Sequence, residues 1–171
     1  FAAKGKRRIK LAREALAISP DCADAYVLLA EEDGKTVEEG LALCEQGVEA
    51  GRRALGEEFF KDEAGNFWGL IETRPFMRAL GGLAEFLMEA GRPEEAIAHW
   101  REMIRLNPND NQGVRDPLLN ALLRKGDDTG ARLLMKQYEK DHSANWAWSR
   151  YLLTFRSQGP GRKADAAFER A

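Results

Sequence analysis

The sequence predicts an all-α fold, an α-solenoid of about four stacked helical hairpins with one apolar loop insert. Three observations lead there. Apolar residues recur at i, i+3, i+4 and i+7 through most of the chain, and no run of β-branched residues exceeds two. Three residue types keep a 35-residue spacing in phase: Gly91, Gly126 and Gly161; Ala96, Ala131 and Ala166; Leu83, Leu118 and Leu153. A hairpin of that length cannot bury its apolar stripe alone, so copies must stack.

The chain opens with a partial hairpin over residues 5–20. Its KGKRRIK stretch crowds Lys4, Lys6, Arg7, Arg8 and Lys10 into seven residues. That run reads first as the solvated face of a helix and second as a patch for an anionic partner. Residues 23–55 form the next hairpin, begun by Ala23, Tyr26, Leu29 and Ala30. Glu38 and Glu39 sit where its second helix starts, because carboxylates are favoured at the positive helix end.

Residues 56–74, GEEFFKDEAGNFWGLIETR, are an insert, since Pro20 and Pro108 stand 88 residues apart where two periods need only 70. Phe59, Phe60, Phe67 and Trp68 crowd it, and each such side chain contributes roughly 1.5–3 kcal/mol when buried. The insert should therefore fold, first as a flap packed on its own solenoid, or else as a wall of a ligand groove. Arg74, beside Glu72 and Arg78, either ties this loop to a local acid or carbonyl or grips a ligand carboxylate bidentately.

Residues 75–108 are the clearest hairpin. Met77, Leu80, Leu83, Ala84, Leu87 and Met88 form one stripe, Gly91 ends that helix, and Pro93, Glu94 and Glu95 open the next. Ala96 is small where two helices cross. Gly81 and Gly82 in mid-helix each cost roughly 1 kcal/mol relative to alanine. Their presence predicts close approach of another backbone, either the insert or an external peptide.

The joint RLNPNDNQGVRDPLL leads into hairpin 111–142. Pro108 closes one unit and Asn109 to Gln112 supply capping chemistry. Pro117 predicts a helix that starts near Asn111 and kinks, in preference to a short helix capped by Asp116. The last hairpin, 144–171, is truncated. Its Trp148, Tyr151, Leu152 and Phe155 share one helical face, read first as a core stripe and second as an apolar patch covered by a partner or a second copy.

Composition narrows the function. The chain is 44% hydrophobic and 32% charged with a net charge of −2, so no global basic field draws in nucleic acid. Cys22 and Cys44 lack CxxC or His companions and suggest reduced thiols in a cytoplasmic setting. No apolar run is long enough to predict a membrane span. His99 and His142 stand 43 apart, and no metal, phosphate-loop or nucleophile-elbow motif occurs. No catalysis, cofactor or metal is expected. The Phe at the start and the unfinished KADAAFERA helix read as a piece trimmed at both ends.

Leu83, Ala84, Gly91, Ala96 and Pro108, with the repeats of that pattern downstream, resemble the tetratricopeptide repeat. The resemblance covers most of residues 8–171 apart from 56–74. It implies a right-handed solenoid of such hairpins whose first helices line a concave groove for a peptide or partner protein. On that mapping the groove holds Arg78, Gly81, Gly82, Glu85, Glu89, Asn120, Arg124, Trp148, Tyr151 and Phe155. Gly82 and Pro117 stand where the family's carboxylate-clamp asparagines would fall, so that mode of binding is not expected. The function expected is a protein–protein interaction scaffold, with self-association through the truncated C-terminal hairpin a further way to cover it. Two other classes remain: a docking or regulatory segment of a larger enzyme, and a pentatricopeptide-like RNA-binding repeat. A groove of Gly, Glu, Asp and aromatic residues disfavours the last.

Overall fold

A computed structural model describes residues 5–168, and those residues form ten α-helices and no strand. They are α1 (Lys6–Ile18), α2 (Ala23–Glu32), α3 (Val37–Leu55), α4 (Glu57–Asp62), α5 (Arg74–Glu89), α6 (Pro93–Leu106), α7 (Arg115–Lys125), α8 (Asp128–Gln137), α9 (Ala144–Gln158) and α10 (Arg162–Phe168). The all-α expectation therefore holds. The chain divides into two compact units, Phe1–Val114 and Arg115–Ala171.

The division falls at the polar joint, where the expected helix start fails. The helix predicted to begin near Asn111 begins at Arg115, so Pro117 stands in its first turn and kinks nothing. Gly113 has φ +73° and Asp110 has φ +49°, a left-handed backbone that no α-helix can include. The Asp110 carboxylate also accepts the Val114 N–H at 2.8 Å, holding the turn closed.

Local signals set the other helix ends. Thr36 caps α3 by accepting from the Glu39 N–H at 3.2 Å, while the Glu39 carboxylate accepts from the Lys35 N–H at 2.9 Å. After α5, Gly91 at φ +72° lets its N–H reach the Met88 carbonyl and the Arg92 N–H reach the Leu87 carbonyl. Thirty-five residues on, Gly126 and Asp127 make the same two bonds to Leu123 and Leu122. The sequence period thus marks a recurring helix stop.

In the first unit each of α1, α2, α3, α5 and α6 packs on the next, and α2 also touches α5. The tightest seam joins α3 to α5. Along α3 the residues Gly40, Cys44, Gly47 and Gly51 face Phe86, Gly82, Ala79 and Phe76 of α5 in turn, an antiparallel register. A Cβ on Gly51 would lie 2.9 Å from the Phe76 Cβ and 3.0 Å from its Cα, and one on Gly40 would enter the Phe86 ring. Small residues on one helix let the other approach at backbone distance. Ala79, Ala50, Ala84 and Cys44 are fully buried beside this seam.

In the second unit α7 packs on α8, α8 on α9 and α9 on α10. Trp146 is fully buried, and its indole N–H donates to the Asp116 carboxylate at 2.8 Å, which also accepts from the Asn145 amide at 3.0 Å. Asp116 is thus a half-buried anchor for an aromatic residue and, lying inside α7, not its cap.

Two glycine substitutions separate seam from propensity. Gly51→Ala should destabilise by about 1–3 kcal/mol in a urea titration, since the added methyl meets the Phe76 backbone. Gly81→Ala, whose methyl would meet only the Met103 side chain at 3.4 Å, should stabilise by up to about 1 kcal/mol.

Candidate functional site

The sequence-derived groove residues of the first unit lie along α5, beside α2. Arg78 is engaged: its Nε and Nη2 donate to the two Asp24 oxygens at 2.7 and 2.5 Å. This fork-to-fork pair ties α5 to α2 and holds Arg78 away from the role of a free ligand grip. Glu85 and Glu89 stand at the surface, and partial desolvation by the neighbouring helices, then the charges of Glu31 and Glu89, raise the Glu85 carboxyl above its ordinary value. The Cys44 thiol below is pushed up to about 12 by burial, with Glu31 and Glu85 adding to the effect. It is a packed, protonated thiol and no nucleophile at neutral pH.

Gly81 and Gly82 turn their Cβ positions toward flanking helices and not toward the insert. A Cβ on Gly82 would stand 3.2 Å from the Cys44 sulfur on α3, and one on Gly81 would stand 3.4 Å from Met103 on α6. The neighbours that approach them are the flanking helices of the same unit, and both glycines are half-buried.

The insert packs on its own unit, away from these glycines. Phe67 is fully buried, with its ring centroid 5.1 Å from Phe60, 6.0 Å from Phe59 and 6.2 Å from Phe76 at the start of α5. Two 3₁₀ turns, Phe67–Gly69 and Ile71–Thr73, carry the chain into α5. The buried Thr73 hydroxyl bonds the Phe67 carbonyl and lies 2.8 Å from that of Leu70. Arg74 donates to the Trp68 carbonyl at 3.2 Å and stacks 5.3 Å from its ring, so it ties the loop down. Phe59, Phe60, Phe67, Trp68 and Arg74 are structural members of a flap at the ends of α3 and α5.

In the second unit Asn120 and Arg124 are exposed on α7. The aromatic run of α9 divides by face. Trp146 takes the core, whereas Trp148 is 48% exposed and Phe155 42% exposed, which overturns the core-stripe reading for that face. Tyr151 lies between them, 6.0 Å from Trp148 and 6.1 Å from Phe155 by ring centroid. Phe168 of α10, 54% exposed, completes the cluster at 5.5 Å from Trp148 and 5.6 Å from Tyr151. The sequence reading passed over Phe168. Its position on a short helix, distant in sequence, gave no spacing signal that it would join α9.

Among the described residues no group of three His, Cys, Asp or Glu side chains comes together as metal ligands. No helix of the described residues is long and apolar enough to cross a membrane.

Glu85 carries a pH signature. Its raised folded-state pKa means that ionisation costs stability at neutral pH, a cost absent below its ordinary value of 4.5, where folded and unfolded chains are both protonated. Glu85→Gln should therefore raise the melting temperature at pH 7 and leave it unchanged near about pH 4.

Comparison with known proteins finds relatives in sequence. The sequence model described as "ST7 protein" matches residues 2–159. The "Suppressor of tumorigenicity 7 protein-like" of Homo sapiens is 50% identical over 120 residues, 68% of this chain and 21% of that protein. "Protein ST7 homolog" of Caenorhabditis elegans is 47% identical over 47 residues, 28% of this chain and 9% of that protein. The Bos taurus "Suppressor of tumorigenicity 7 protein-like" is 50% identical over 44 residues, 26% of this chain and 8% of that protein. The matched stretches thus span about a fifth or less of the length of these curated relatives. The family match corrects the tetratricopeptide resemblance. A Leu–Ala pair, a stop glycine and a small residue at a crossing are what any tight helical hairpin requires, so that spacing reports hairpin geometry and not that family.

Proposed function

The chain belongs to the ST7 protein family, and on that premise we propose that it is a helical interaction module without catalysis of its own, docking a protein or peptide partner. The observation that carries this reading is the solvent-facing cluster of Trp148, Tyr151, Phe155 and Phe168. Four adjoining aromatic side chains left partly in water are costly for an isolated domain; full burial of one removes about 150–250 Å² from water, and roughly half of that is still open at three of these. Aromatic residues dominate the central contacts of protein interfaces because they bring large area at low entropic cost.

The succession of packed neighbours from α1 to α6, with α2 against both α3 and α5, supports reading the first unit as a short α-solenoid of stacked hairpins. In this reading the first unit is a rigid support, with its Arg78–Asp24 pair and glycine seam internal to it, and the α9–α10 surface of the second unit makes the contact. The partner belongs to the protein class, a second copy of the chain included, and neither nucleic acid nor membrane is part of the reading. A cytoplasmic setting suits the two free cysteines.

The test places a photo-crosslinking phenylalanine analogue at Tyr151 and follows adducts in cells. Adducts should form, and should be lost with Trp148→Ala or Phe155→Ala, each costing about 2 kcal/mol of binding. They should persist with Leu133→Ala, which removes an exposed leucine of α8 outside the cluster. A single adduct at twice the chain mass would make the partner a second copy. Absence of protein adducts, or equal loss with Leu133→Ala, would refute the reading.

A further inference from the structure

We propose that the first unit carries an anion-binding pocket for a multiply charged oxyanion, where the C-terminal turns of α3, α4 and α6 converge. The cleft has a volume of about 610 Å³, within the size range of small-ligand sites. Arg52, Arg53, Lys61 and Arg105 line it, together with Phe60 and one carboxylate, Glu57.

Two of the four cations are already engaged. Arg53 meets Asp21 at 2.8 Å and Glu49 at 4.0 Å, and Arg105 forks onto Glu102 at 2.7 and 2.8 Å. Arg52 and Lys61 differ: among the described residues no ion pair holds either, although the Glu102 carboxylate lies near enough to Arg52 to feel its charge. Arg52 is instead held by rings, its guanidinium carbon 5.0 Å from the Phe60 centroid and 5.5 Å from that of Phe76. Stacking of this kind sets the plane of the guanidinium without using its N–H donors, which leaves a preorganised fork. Basic residues in a helix's last turn are favoured by the dipole, which accounts for each one singly. Four of them share one ligand-sized cleft here, where they outnumber its single carboxylate.

The insert gives this pocket its form. Phe60, Lys61 and Ala64 belong to it, so the extra residues between α3 and α5 build one wall. This is a role for the insert apart from the sequence-derived groove, and it is independent of the aromatic surface of the second unit. The ligand chemistry is that of a phosphoryl group or a cluster of carboxylates, since both match a guanidinium fork and an ammonium.

The experiment titrates the whole chain at low ionic strength with inorganic pyrophosphate and, separately, with citrate, anions of similar charge at neutral pH. Calorimetry gives affinity, and the amide resonances of Phe60 and Lys61 give location. At least one anion should bind and shift those resonances, pyrophosphate marking a phosphoryl site and citrate a carboxylate site. Lys61→Gln, which removes no ring contact, should weaken binding about tenfold, and Arg52→Gln at least as much. Lys35→Gln, an exposed lysine ahead of α3, should leave binding unchanged. If Arg52→Gln fails to fold, Lys61→Gln and Lys35→Gln decide the matter alone. No binding of either anion, wild-type affinity in Lys61→Gln, or equal weakening in Lys35→Gln would overturn the proposal.

Discussion

The first unit depends on how closely α3 and α5 approach one another. Three glycines and a cysteine on α3 meet Phe86, Gly82, Ala79 and Phe76 on α5, and at Gly51 the approach is at backbone distance. Packing at that range multiplies van der Waals contacts per residue, which offsets the conformational entropy of glycine in a helix. It also dictates side-chain identity on both partners. A rigid, correctly spaced pair then gives α2 and α6 defined surfaces on which to pack, and α2 is locked to α5 a second time by the Arg78–Asp24 fork.

The insert follows from the same pair. α3 runs for 19 residues, and its end lies beside the start of α5, with Arg52 of α3 reaching the Phe76 ring. Closing the connection takes a short helix and two 3₁₀ turns around Phe67, with the Thr73 hydroxyl and the Arg74 guanidinium satisfying the carbonyls of Phe67, Leu70 and Trp68. Buried carbonyls without partners are costly, so these two side chains are conditions for the loop to pack at all. The second unit solves a similar problem with Asp116, whose carboxylate receives the Trp146 indole and lets a large polar-edged ring enter the core.

Much of this was legible from residue order. The helices, the stop glycines at 91 and 126 and the buried alanines at 96 and 131 follow from periodicity and capping chemistry that act within a few residues. The apolar insert was recognisable as folded because its aromatic content has no other physical use. Less legible were features where two sequence-distant segments meet. Gly82 was readable as a close approach, but not that Cys44 would be the neighbour. Trp146 and Trp148 differ by two positions, and only the packing of α9 shows which one is wet. Phe168 had no local signal, and Arg105 joins Arg52 and Lys61 only through folding.

By itself, then, the sequence determined element type, the helix stops and the 35-residue beat, because those depend on backbone preference and short-range hydrogen bonds. Tertiary structure decided the break at the polar joint, the neighbours of the glycines, and which aromatic and basic side chains gather on a surface. The reason is that helical periodicity states which face of a helix is apolar or charged. What that face meets depends on register and crossing distance between helices, and residue order carries those only through contacts that form when the chain folds.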